Sequence, residues 1–118
     1  MDMQSETHKT ILVQARFFDN MYNAFRKHCH DVFDKQGRLL DQSIVENAST
    51  AEKFADMVKN VLLADESKYL QGPKSTRAYT IRESTMNLVD DLVHKTLFNR
   101  TDILTLIILH HLQNHVES

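Results

Sequence analysis

The chain has 118 residues, 42% of them apolar and 25% charged, with a net charge of −2, so it has the material for one ordinary core. That balance does not announce a nucleic-acid binder, and the single cysteine, Cys29, excludes an internal disulfide framework and fits a reducing, cytoplasmic setting. Two glycines and one proline leave few tight turns, so a mainly α fold is expected.

Residues 1–8 read as a frayed polar tail, and nothing in Met1–Lys9 has the apolar run of a signal peptide. Lys9–Phe17 alternates, with Ile11, Val13, Ala15 and Phe17 on one parity, which predicts a short strand over 9–17. Phe18–Phe33 turns helical, with Met21, Tyr22, Phe25, Cys29, Val32 and Phe33 as its apolar stripe. Gln36-Gly37-Arg38 reads as a turn with Gly37 left-handed, and Leu39–Asn47 carries Leu40, Ile44 and Val45. Ser49 stands three residues before Glu52, the spacing of a capping box. It opens a helix to about Leu63 with Phe54, Met57, Val58, Val61 and Leu62 inside. Ala64–Ser75, polar and bearing Gly72-Pro73, is the expected boundary between a helical module at 1–66 and a second module at 67–118.

In the second module residues 77–82 alternate again, with Tyr79 and Ile81 on one face and Ala78, Thr80 and Arg82 on the other. Ser84-Thr85 offers an N-cap, and Met86, Val89, Leu92, Val93 and Leu97 follow at helical spacing. Thr101-Asp102 opens a further helix. From Ile103 to Leu112 that helix is apolar on nearly every side, through Ile103, Leu104, Leu106, Ile107, Ile108, Leu109 and Leu112. Such a helix is buried all round.

The order strand, helix, turn, helix, with Arg100-Thr101-Asp102-Ile103-Leu104 opening the second helix and Ile107-Ile108 and Leu112 continuing it, resembles the ribbon-helix-helix family of Arc/MetJ-type DNA-binding proteins. The resemblance covers about residues 76–112 and departs from the family in lacking a glycine between the helices, where Asn99 stands in its place. It implies a C-terminal module that dimerises by pairing its strand with that of a second copy, because a lone strand leaves its backbone groups unpaired. Tyr79, Ile81, Leu92, Ile103, Leu104, Ile107 and Ile108 would then form the dimer core. The partner implied is double-stranded DNA read in the major groove: Arg82 bridging guanine O6 and N7, Thr80 hydrogen-bonding, Ala78 touching a thymine methyl. Backbone N–H groups at Arg100, Thr101 and Asp102, with the Arg100 side chain, would hold a phosphate. The positive cast of the second part supports this: residues 67–118 hold 6 Lys and Arg against 5 acids, residues 1–66 hold 8 against 11.

The N-terminal part also runs strand, helix, turn, helix, with Gln14-Ala15-Arg16 echoing Thr80-Ile81-Arg82 and Tyr22/Phe25 matching Val89/Leu92. A degenerate second copy is one reading of it. The preferred one is a helical module that binds a protein partner or forms higher oligomers. Function is expected to be transcriptional regulation or repression, or plasmid or phage DNA processing, by family analogy alone. The alternative is an all-helical interaction module without nucleic acid, in which 77–82 is a loop.

No catalytic frame, metal or cofactor is expected. There is no phosphate loop or nucleophile elbow, and Asp90-Asp91 diverge on a helix. His28 and His30 point about 200° apart, so they cannot share a metal with Cys29. His110, His111 and His115 are expected to solvate the C-terminal helix end, where cations suit the dipole. Ile103–Leu109 is too short to span a bilayer.

Overall fold

The computed structural model describes residues 9–63 and 67–115. The tail expected at 1–8 and the first part of the polar break, 64–66, lie outside the described residues, as does 116–118. Both alternating stretches are strands. β1 (Thr10–Phe18) and β2 (Lys74–Arg82) pair antiparallel in a register that runs from Thr10↔Arg82 to Phe18↔Lys74 and is centred on Gln14↔Ala78. The inward parity buries Val13, Phe17, Tyr79 and Ile81, and the outward parity leaves Leu12, Gln14, Arg16, Thr76, Ala78 and Thr80 exposed.

Each strand leads directly into two helices. α1 (Asp19–Asp31) and α2 (Gln36–Ala48) follow β1, and α3 (Ala51–Leu63) and a short 3₁₀ turn (Ser67–Leu70) lead to β2. α4 (Glu83–Lys95) and α5 (Arg100–His115) complete the chain. The fold is mainly α: five helices and one two-stranded antiparallel sheet among the described residues. Residues 77–82 are strand, not the loop expected in the all-helical alternative.

The second half repeats the first at a constant spacing of 64 positions. Thr10 and Lys74 open the strands, Asp19 and Glu83 the helices after them, Gln36 and Arg100 the next helices. The pairing register obeys the same symmetry, since its centre, Gln14↔Ala78, joins two equivalent positions. So do the hinges: Asp19 N–H donates to the Pro73 carbonyl at 2.9 Å, and Glu83 N–H donates to the Lys9 carbonyl at 2.8 Å. A pseudo-twofold axis therefore passes through the middle of the ribbon.

One core serves both halves. Phe17, Phe25, Leu40 and Ile44 from the first pack in a single cluster with Ile81, Leu92, Ile103, Leu104, Ile107 and Ile108 from the second. Two expectations change accordingly. The division at 66/67 does not separate two cores, and the strand that needed a partner finds it in its own chain. Tyr79, Ile81, Leu92, Ile103, Leu104, Ile107 and Ile108 are all buried, but inside one chain rather than between two. Both halves run strand, helix, helix, and the echo of Gln14-Ala15-Arg16 in Thr80-Ile81-Arg82 is out of register with that order: at a spacing of 64, Arg16 matches Thr80 and Phe25 matches Val89. Phe54 on the first turn of α3 meets Phe98, ring centroids 5.9 Å apart.

Local signals shift by a residue or two. The cap of α3 is Thr50, whose Oγ1 accepts from Lys53 N–H at 3.1 Å, rather than Ser49. α4 begins at Glu83, and Thr85 inside its first turn is buried instead of capping. α5 is capped by Asn99, not Thr101: Asp102 N–H donates to Asn99 Oδ1 at 2.8 Å. Asn99 is not left-handed and does not replace a glycine; the one positive φ outside glycine among the described residues is Phe33, at 58°. Gly37 lies in the first turn of α2, where a Cβ would stand 2.4 Å from the Thr80 carbonyl oxygen. Its glycine is needed for close approach of α2 to β2, not for a turn.

Candidate nucleic-acid interface

The face of the ribbon turned away from the helices carries Thr10, Leu12, Gln14 and Arg16 from β1 and Lys74, Thr76, Ala78 and Thr80 from β2, all exposed. Neither strand contains an acid. Alternation puts these side chains on one side because β1 and β2 each bury the other parity in the core. A two-stranded ribbon is about 5 Å between strand axes, and a major groove about 12 Å wide admits it.

Ala78 and Thr80 stand on this face as expected. Arg82 does not. Its guanidinium turns sideways onto α2, where Nη2 meets Asp41 Oδ1 at 2.7 Å and Nε approaches both carboxylate oxygens. The Arg82 backbone N–H donates to Asp41 Oδ2 at 2.8 Å, and Thr85 Oγ1 donates to Oδ1 at 2.9 Å. Asp41 is 9% exposed and Arg82 43%. Burial pushes the Asp41 carboxyl up, but the hydrogen bonds from Arg82 and Thr85 outweigh it and hold it below its ordinary value. Arg82 is thereby spent on structure, and sequence reading missed this because Asp41 is 41 positions away.

The N-terminus of α2 borders β2, and the pseudo-twofold gives the N-terminus of α5 the matching place beside β1. That of α5 carries Arg100 and Thr101, as expected, although Arg100 Nη2 is paired with Asp90 Oδ1 at 2.9 Å. Both groups of that pair are about half exposed, so it is weak and exchangeable. The symmetry adds a second N-terminus that the sequence reading did not single out: α2, with Lys35 before it, Gln36 and Gly37 in its first turn, no acid there and no side-chain cap. Arg38 follows, near Asp34 at 3.9 Å with most of its side chain exposed. These groups border an open groove of about 870 Å³ between α2 and β2. The repeat spacing was the available signal.

No protein-family model, no curated protein and no solved structure matches this chain.

Other polar groups are occupied structurally. Arg77 lies 3.6 Å from Asp19 and 4.0 Å above the Tyr22 ring. His111 does not solvate a helix end: it is buried, its Nδ1 3.2 Å from Ser43 Oγ, and its ring packs against His28 (4.8 Å between centroids) and His115 (4.3 Å). Burial lowers its pKa to about 4, helped by the neighbouring His115, His28 and His110. Among the described residues no group of three or more His, Cys, Asp or Glu is arranged to hold a metal. Burial, with the Asp34 charge, pushes the Cys29 thiol up to about 11, so it stays protonated at neutral pH. No helix among the described residues is long and apolar enough to cross a membrane.

Proposed function

We propose that this chain is a sequence-specific binder of double-stranded DNA that lays its β1–β2 ribbon in the major groove. The observation that carries the reading is the exposed, acid-free outer face of the ribbon, flanked by two helix N-termini with basic side chains. Gln14, Arg16, Thr76 and Thr80 are side chains that hydrogen-bond base edges; Leu12 and Ala78 suit thymine methyls. Backbone N–H groups at the starts of α2 and α5, with Lys35, Arg38 and Arg100, suit phosphates on either side. The arrangement strand–helix–helix, present twice with antiparallel strands, supports the resemblance to ribbon-helix-helix proteins. On that analogy the role is transcriptional regulation or repression, or service in plasmid or phage DNA processing.

In this reading one chain supplies the ribbon that a homodimer was expected to build, so one chain fills one groove. A mobility-shift assay of the full chain against genomic and plasmid fragments from the source tests it. Arg100→Ala is expected to weaken binding to all duplexes alike and reduce the salt slope by about one unit. Asp90→Ala, which removes the carboxylate competing with phosphate for Arg100, is expected to tighten it. A chain that shifts no duplex at low salt overturns the reading.

A further inference from the structure

The pseudo-twofold relates the backbones of the two strands, but not the side chains on their outer face. Equivalent positions carry Thr10 and Lys74, Leu12 and Thr76, Gln14 and Ala78, Arg16 and Thr80. The pairing register turns these differences into two unlike ends. At one end Arg16 stands opposite Thr76, with Phe18 opposite Lys74 beyond it. Arg16 Nη2 donates to the Lys74 carbonyl at 3.3 Å, and the Lys74 ammonium lies 4.6 Å from the Phe18 ring centroid, so two cations are held together there. At the other end Leu12, 62% exposed, stands opposite Thr80, and the two cations beyond it are paired with acids: Arg82 is locked onto Asp41, and Lys9 Nζ lies 3.6 Å from Glu83. The lock has no equivalent: the positions matching Arg82, Asp41 and Thr85 are Phe18, Thr105 and Met21. One end of the ribbon thus offers two exposed cations with no acid against them among the described residues, and the other an apolar side chain and hydroxyls.

Resting on the DNA-binding reading above, we propose that the ribbon reads a non-palindromic duplex site in one fixed orientation. Arg16 specifies guanine at one end and Gln14 specifies adenine near the centre. Leu12, with Thr80, selects a thymine methyl at the other end. Arginine matches guanine O6 and N7, glutamine matches adenine N6 and N7, and an aliphatic side chain in the major groove finds its favourable contact on the thymine C5-methyl. A symmetric homodimer would present the same side chains twice and prefer an inverted repeat. This chain presents each once.

The test selects duplexes from a random pool with the full chain and then maps its direction on the selected site. Phe33 and Leu97, 96% and 104% exposed, occupy equivalent positions in the two interhelical turns. Cys29 is buried, so an iron chelate tethered after Phe33→Cys or Leu97→Cys reports from one turn at a time. The expected result is a selected site without inverted repeat, cut by the two tethers on opposite flanks. Arg16→Ala should relax the guanine preference on the Leu97 flank by about 10- to 100-fold, and Leu12→Ala should relax only the thymine on the Phe33 flank. An inverted repeat, or either tether cutting both flanks equally, overturns the fixed orientation while leaving DNA binding intact. Failure to enrich any duplex overturns the DNA-binding reading, and the orientation with it.

Discussion

The two halves share a backbone plan and reach it by different chemistry. The turn after α1 closes with Asp34 N–H donating to the Cys29 carbonyl at 3.0 Å across Phe33, which takes the left-handed conformation. The equivalent turn after α4 uses no positive φ; Thr96 Oγ1 donates to the Leu92 carbonyl at 2.8 Å and accepts from Phe98 N–H at 3.2 Å. α2 buries Asp41 and Ser43, whereas the matching positions on α5 hold Thr105 and Ile107. α5 supplies the more apolar share of the core, and α2 brings polar groups that need partners from the other half. The comparison teaches that the repeat survives in spacing and inward parity, while the two polar groups that α2 buries are answered across the axis: Asp41 by Arg82 and Thr85, Ser43 by His111.

The comparison breaks most severely if the halves are energetically separate. Leu40→Ala and Leu104→Ala, at equivalent fully buried positions, are each expected to cost about 2–5 kcal/mol, and urea unfolding followed by two probes should stay a single transition in both variants. Two separated transitions would restore independent modules. The next largest effect sharpens the asymmetry. Asp41→Ala strands Arg82 and Thr85 and should cost about 2–4 kcal/mol, with Thr105→Ala at the equivalent position under about 1 kcal/mol. Equal losses would mean that the Asp41 cluster contributes nothing specific.

Acidification probes the cross-axis histidine. The unfolded His111 titrates near 6.5 and the folded one near 4, so the unfolded chain binds the extra proton first. The contribution of neutral His111 is fully present above about pH 6.5 and is lost as pH falls toward 4, by about 2–3 kcal/mol. Stability measured by urea titration at several pH values should show this slope, and His111→Gln should flatten it. An unchanged slope in the variant would move the titration to other groups. Asp41 acts in a lower window, below its ordinary value near 3.8, because its folded carboxyl is depressed.

The smallest effects are local. Thr50→Ala should cost about 1 kcal/mol and Ser49→Ala close to nothing, because only the Thr50 hydroxyl caps α3. Phe33→Gly should stabilise by up to about 1 kcal/mol, since its left-handed backbone is strained with a Cβ. Thermal midpoints of the three variants check both claims.

Periodicity carried much of the fold into view before any coordinates. The alternation at 9–17 and 77–82 and the apolar stripes ending in Ile103–Leu112 are local patterns, and the elements are where those patterns put them. What was hidden is pairing at a distance. Nothing in Tyr79 or Ile81 says whether the opposing strand belongs to the same chain, because backbone hydrogen bonds carry no residue identity. Arg82 shows the same limit at the interface: alternation assigns its face, but Asp41 on another element decides where its guanidinium goes. Ala78 and Thr80, with no long reach and no such partner, stood where alternation put them. The β1 half of the outer face, Thr10, Leu12, Gln14 and Arg16, joins the other only through the 64-residue repeat that ties the two strands together.

The ribbon also imposes an order of events on a growing chain. β1 is complete by Phe18, yet its partner begins at Lys74, so every hydrogen bond of the sheet waits until more than fifty further residues have been made. At elongation rates of about 5–20 residues per second that is a delay of some seconds. Throughout it, β1 is a short strand with free edges, its inward face carrying Val13 and Phe17 without the Tyr79 and Ile81 that cover them later. Helices α1 to α3 can form locally in that interval, but the sheet cannot. Slow translation, or a ribosome stalled before Lys74, would therefore release a chain poised to pair β1 with the wrong edge, and nascent-chain pulldowns at successive lengths would find the hazard ending abruptly once β2 emerges.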